Sequence, residues 1–304
     1  MGKHGRPDAQ APQGSGWIHG FIGMLIFSGS LPATRVAVAD FDPVFLTVAR
    51  ASLAGRLALL VLSVSQTPRP TRAQLRALAV VAGGVVLGFP LLTALALQQL
   101  SSAHALMFLG LLPLSTAGFA VLRGGERPRA AFWVCALLGS GLVVGYALNQ
   151  GLARGLGTAS GALLLGDALM LAAVAVCGLG YAEGARLART LGGWQVICWA
   201  LVLALPLTAL LALLQLPASF SSIRGSAWLG LAYVSLFSML IGFVFWYRGL
   251  ALGGTAAVGQ LQLLQPLFGL ALAAWLLHEP VSAGMLAVTV GVLGCVAGAR
   301  RLAA

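Results

Sequence analysis

The sequence predicts an all-α membrane protein with ten transmembrane helices, arranged as two inverted five-helix repeats. Three observations carry that expectation. The 304 residues are 59% hydrophobic and only 8% charged, with a mean hydropathy of +0.95, whereas soluble chains are roughly 25% charged. Apolar runs long enough to cross the hydrocarbon, about 20 residues each, follow one another almost end to end. The C-terminal part of each half also superposes on the other at a single shift, that of Pro113 onto Pro266.

Ten spans are expected, at 17–38, 44–64, 75–97, 102–122, 131–149, 159–182, 194–215, 227–248, 255–277 and 281–299, preceded by a polar, Pro/Gly-rich and disordered cytoplasmic segment over 1–16. No signal-peptide cleavage pattern follows that segment, so the first apolar run is expected to remain as a helix. Short links such as "DFDP", "SQTPRPTR" and "RGGERPR" leave no room for a soluble domain. Basic residues crowd alternate links, among them Arg69, Arg72, Arg76, Arg123, Arg127 and Arg129, while Arg154 and Arg224 stand almost alone on the opposite ends. The bias puts both termini in the cytoplasm, as an even number of spans requires.

The repeat divides the chain into 17–149 and 159–304. The stretch from Leu97 to Gly145 lies over Leu250 to Gly298 without a gap, matching Pro113 to Pro266, Glu126 to Glu279, Gly141 to Gly294 and Gly145 to Gly298. Five spans per repeat is an odd number, so the second copy enters the membrane upside down. Inverted repeats characterise alternating-access carriers, whose substrate binds near the midplane between the halves.

The polar residues inside spans are the candidates for chemistry. Gln262 and Gln265 share a helical face and read as cavity-lining amides or as interhelical bonds that hold the bundle together. Gln260 points elsewhere. Pro113 and Pro266 each free a carbonyl one turn earlier, producing a kink and, on the functional reading, a gating hinge. Ser28, Ser30 and Pro32 interrupt span one, either to expose backbone to substrate or to allow close packing. Arg50 lies about seven residues into span two. It binds a carboxylate substrate bidentately, or it is a structural charge bonded to helix-end carbonyls or snorkelling outward. Asp167 is the one acid placed to carry a coupling proton, with an interfacial role the simpler alternative. His104 opens span four as a cap, a cavity group or a proton relay. Glu183 is expected to pair with Arg186, and Trp246, Tyr247 and Trp275 fit an interfacial aromatic belt.

The order and spacing of "FSGSLPATR", Arg50, "LSSAHALMFLGLLPL" with "GGE", "GDALMLAAVAVCGLGY" and "LLQPLFGLALAAWLLHEP" resemble the EamA-type exporters of the drug/metabolite transporter superfamily. Phe27 stands where the family commonly has tryptophan. The resemblance implies a bacterial inner-membrane carrier that takes no cofactor and exports small metabolites, often amino acids or toxic compounds. A proton-coupled multidrug or cationic-metabolite transporter is the alternative within the family. The expected partners are a small-molecule substrate and membrane lipid, with the protein a monomer or homodimer. The net charge of +11 reads as basic loops facing anionic lipid, since no contiguous basic, aromatic-interleaved stretch suggests nucleic acid. No HExxH, GxSxG or paired metal-ligand spacing suggests a membrane enzyme, and the four cysteines lie singly in apolar runs, without ligand spacing.

Overall fold

A computed structural model describes residues 13–124, 129–153 and 158–303. The described residues are helical almost throughout. Helix α1 runs Gln13–Ser28, breaks at Gly29 and resumes over Ser30–Ala37. Then follow α2 (Pro43–Val64), α3 (Arg72–Gln99), α4 (Ser102–Gly124), α5 (Ala130–Ala153), α6 (Thr158–Leu191), α7 (Gly193–Leu214), α8 (Gly225–Gly253), α9 (Thr255–Leu277) and α10 (Ala283–Ala303). Among the described residues, eight of these (α1–α4 and α6–α9) are long and apolar enough to cross a membrane, while α5 and α10 carry shorter apolar stretches, Phe132–Leu142 and Ala283–Cys295. Glu126, Arg127 and Arg154 lie outside the described residues.

Local chemistry sets the helix ends. Asp42 Oδ1 accepts the N–H groups of Val44 (2.8 Å) and Phe45 (3.1 Å) with Pro43 at the first position, which starts α2. Thr71 and Gln74 form a capping box on α3. His278 ends α9 in the left-handed conformation (φ 51°, ψ 30°), a position His tolerates better than most non-glycine residues.

The two halves are packed alike. Helix α2 packs chiefly on α7 and α5 on α10, while α1 on α8 and α3 on α6 are mirror contacts when the halves are exchanged. Each half repeats the same backbone irregularities. In α3, Ala82–Gly88 is π-helical and Phe89 N–H bonds to the Gly84 carbonyl; in α8, Val234–Ile241 is π-helical and Gly242 N–H bonds to the Phe237 carbonyl. In α4 and α9 a 3₁₀ stretch precedes the proline, Leu109–Leu111 and Gln260–Leu264. Pro113 and Pro266 cannot donate to the carbonyls of Leu109 and Gln262; Leu112 N–H and Gln265 N–H donate to them instead. Both pairs of irregularities obey the shift that relates Pro113 to Pro266. They are structural repeats of one design, and π-bulges of this kind concentrate at functional sites.

The outer faces are apolar: Leu60, Val64, Leu137, Leu164, Leu210, Leu214, Leu229 and Val290 are exposed. Beneath them lies an aromatic cluster. Phe27 sits 4.8 Å from Phe243 and 6.1 Å from Trp246, and Tyr181 5.7 Å from Trp246, measured between ring centroids. Trp246 and Tyr247 are fully buried, which corrects their expected place in an interfacial belt: the apolar run alone does not tell which side of a helix faces its neighbours. Trp275 is 74% exposed.

Surface ties complete the frame. The Asp40 carboxylate, between α1 and α2, accepts from Arg224 at the start of α8, at 2.7 Å from Nη2 and 2.9 Å from the backbone N–H. Arg224 holds the Asp40 carboxyl below its ordinary range. Glu183 pairs with Arg186, as expected, and lies 3.7 Å from Arg123 on α4. Arg35 donates to the Leu97 carbonyl near the C-terminal end of α3.

Candidate functional site

A cavity lies between the halves. Helices α1–α4 supply Phe27, Ser30, Leu31, Arg50, Val85, Phe89, Pro90 and Leu112; α6, α8 and α9 supply Tyr181, Ser238, Phe243 and Gln265. Several lining residues are repeat mates: Val85 with Ser238, Pro90 with Phe243, Leu112 with Gln265. The first repeat places apolar side chains where the second places a hydroxyl and an amide. The scaffold is symmetric and the chemistry is not.

Arg50 is the cation of the site. The Asp42 cap and Pro43 set the register of α2 so that Arg50 turns inward with Leu46, Ala49 and Ala54, and only 5% of it is exposed. Its Nη2 donates to Ser238 Oγ at 3.2 Å. Its Nε has no partner, and among the described residues no carboxylate pairs with it. It is neither bonded to a helix-end carbonyl nor snorkelled outward. An uncompensated charge in a low-dielectric interior costs several kcal/mol, about 2.5–3.5 even on insertion scales at a helix centre.

Ser238 joins Arg50 to α1. Its hydroxyl lies 2.6 Å from Ser30 Oγ. A hydroxyl that accepts from Arg50 keeps its own proton to donate onward to Ser30. The break in α1 supplies the rest of the polar wall. Tyr233 of α8 donates to the Ile26 carbonyl at 2.7 Å, and Gln265 Nε2 of α9 donates to the Phe27 carbonyl at 3.1 Å. Gln265 Oε1 is left without a partner. Glycine at position 29 admits Tyr233: a Cβ there would stand 2.5 Å from the tyrosine oxygen.

Of the other candidates, Ser28 bonds to the Met24 carbonyl of its own helix at 3.0 Å and does not line the cavity. Pro32 is buried in the resumed part of α1. Gln262 is fully buried and outside the lining set, with the Tyr181 hydroxyl as its polar neighbour. Gln260 and Pro113 line a separate space between α4, α5, α9 and α10, and Pro266 a further small one. Gln260 is the one amide lining the first space and Thr289 the one hydroxyl lining the second, among the described residues, so the central cavity, with four converging polar side chains and a charge, is the better ligand site.

His104 and Asp167 form a second group. His104 Nε2 lies 2.8 Å from Asp167 Oδ1, joining α4 to α6. Beside it the Glu279 carboxylate, swung round by left-handed His278, accepts from Ser102 N–H (3.1 Å), Ser102 Oγ (2.7 Å) and Ala103 N–H (2.8 Å). It neutralises the N-terminus of α4 from the far end of α9. Neither His104 nor Asp167 borders the central cavity.

Sequence reasoning missed Ser238, Tyr181, Phe89 and Phe243. The available signal was Ser235 and Ser238, two hydroxyls three residues apart in an otherwise apolar span.

Three comparisons bear on this arrangement. The model of the EamA-like transporter family matches twice, over residues 14–147 and 164–299. An uncharacterised transporter of Bacillus subtilis (strain 168), YdeK, is 63% identical over 289 residues, covering 95% of this chain and 98% of the relative. A solved crystal structure, 22% identical, shares the fold with a TM-score of 0.71 over 96% of this chain and 99% of that one. Two matched units, a bundle of apolar helices around a central cavity, and a close transporter relative agree, and the chain belongs to the EamA-like transporter family of multi-pass membrane transporters.

Proposed function

We propose that the protein is a ten-span carrier of the bacterial inner membrane, with both termini cytoplasmic. Its inverted repeats open the central cavity alternately to either side, and it exports small carboxylate-bearing metabolites, amino acids among the class. The observation that carries this reading is Arg50, a buried guanidinium without a counter-ion among the described residues, on the wall of a cavity between the halves. An uncompensated charge is unfavourable in the empty site and favourable with an anionic group bound. The paired π-helical and 3₁₀ irregularities support alternation, because each is a place where a helix exchanges one bonding pattern for another. A drug or metabolite of positive charge fits poorly beside Arg50.

The test is counterflow of labelled carboxylates, amino acids included, into proteoliposomes holding the purified chain. Accumulation above empty vesicles supports the reading; no movement of any of them by folded protein overturns it. A second reading, proton coupling, rests on the His104–Asp167 pair. An imposed pH gradient that drives uptake in the native protein, but not in Asp167→Asn, supports it. Indifference to the gradient leaves a carrier driven by its substrate gradient.

A further inference from the structure

The charge balance of the cavity distinguishes among carboxylates. Among the described residues its lining holds one cation, Arg50, and no acid. An α-amino acid carries an ammonium group beside its carboxylate, and that group needs an anion or several acceptors once desolvated. The lining offers it no carboxylate. What it does offer is a neutral acceptor without a partner, Gln265 Oε1, on a residue only 3% exposed. The remaining wall is hydrophobic, with Phe27, Leu31, Phe89 and Phe243.

We infer that the central cavity is matched to a small organic acid of net charge −1, with its carboxylate on Arg50, a neutral donor such as a hydroxyl for Gln265, and an apolar tail, in preference to the corresponding zwitterionic amino acid or to an amine. The inference rests on the carrier reading above and narrows its substrate class. A monoanion brings the site to neutrality. A zwitterion leaves the Arg50 charge answered but buries an unanswered ammonium, and an amine adds a second positive charge beside the first.

Three solutes that share one branched apolar tail compare the charge states: 2-hydroxy-4-methylpentanoate, leucine and leucinamide, the last an amine of nearly the same size with no carboxylate. Their binding to purified full-length protein and their counterflow in proteoliposomes are measured side by side. The hydroxy acid is expected to bind at least tenfold more tightly than leucine, with no detectable binding of the amine. Arg50→Gln removes the preference, bringing acid and amino acid within about twofold of each other. Arg50→Lys keeps the charge without the guanidinium fork and so retains the order at weaker affinity, which separates loss of charge from loss of fold. Gln265→Leu lowers affinity for the hydroxy acid more than for 4-methylpentanoate, which lacks the hydroxyl. Leucine or the amine bound as well as the acid overturns the charge assignment while leaving a carrier in place. Movement of none of these solutes, nor of any other carboxylate, overturns the assignment and the carrier reading together.

Discussion

The Arg50 guanidinium of α2 donates to the Ser238 hydroxyl of α8 at 3.2 Å, and among the described residues this is its one hydrogen bond. The contact crosses from the first repeat to the second through the cavity wall. Ser238 also meets Ser30 at 2.6 Å, so one hydroxyl organises three helices. Ser238→Ala is expected to lower stability by about 1–3 kcal/mol, because a buried charged donor then loses its partner. It should weaken substrate binding further, since Arg50 is no longer held. Thermal unfolding in detergent and a binding isotherm on the same sample check both.

Gly29 and Tyr233 form a steric lock in the broken part of α1. A methyl at position 29 would meet the tyrosine oxygen at 2.5 Å and a ring carbon at 2.8 Å, a clash of the kind that costs about 1–3 kcal/mol. Gly29→Ala is therefore expected to destabilise the protein. Tyr233→Phe alone should cost about 1 kcal/mol by leaving the Ile26 carbonyl unanswered. The double variant Gly29→Ala with Tyr233→Phe should be less damaged than the two single effects added. Additive losses in a double-mutant cycle would refute the lock.

Glu279 caps α4 from a distance in sequence, with three bonds between 2.7 and 3.1 Å. Glu279→Ala leaves two N–H groups and a hydroxyl without their acceptor and removes a charge from a helix N-terminus, a loss of about 1–3 kcal/mol. Glu279→Gln keeps one acceptor and should lose less. Ser102→Ala should cost little once Glu279 is gone, and a measured coupling near zero between the two would contradict the geometry.

The Asp40–Arg224 pair gives a pH dependence whose sign is set by the depressed carboxyl. A lowered folded-state pKa means the pair stabilises the protein above the ordinary carboxylate range. That contribution is lost as pH falls through the folded pKa, which lies below the ordinary value of 3.8. The melting temperature should therefore fall more steeply below pH ~4 in the native protein than in Asp40→Asn. Parallel curves would show that the pair contributes nothing, as many exposed ion pairs do.

Much of the helix order was legible from hydropathy. The expected spans 44–64, 102–122 and 255–277 fall on Pro43–Val64, Ser102–Arg123 and Thr255–Leu277, because an apolar run bounded by Asp42-Pro43, Ser101 or Gly254 has both a driving force and a punctuation mark. Helix α6 overran its expected end at 182 to reach Leu191; its last turns are polar, carrying Glu183, Arg186 and Arg189, and hydropathy is blind to a helix that continues beyond lipid. Helix α1 begins at Gln13, four residues before the expected 17, for the same reason. The candidate site was only partly legible. Arg50, Ser30 and Gln265 stood out as polar groups in apolar runs, and they meet in one cavity. Gln262 stood out equally and lies outside the lining set: a shared helical face does not fix which residues along it reach the cavity. The π-helical stretches left no mark in composition; they pack against α6 in one half and α2 in the other.

Opening of the space between the repeats to one side and then to the other is read at Val85, which lines the cavity together with its repeat mate Ser238. In a variant lacking the native cysteines 135, 177, 198 and 295, Val85→Cys would be exposed to a membrane-impermeant thiol reagent in vesicles of each orientation. Labelling from both faces, with a saturating carboxylate substrate protecting the thiol, is the result the account predicts. Labelling confined to one face whatever the substrate concentration would contradict it.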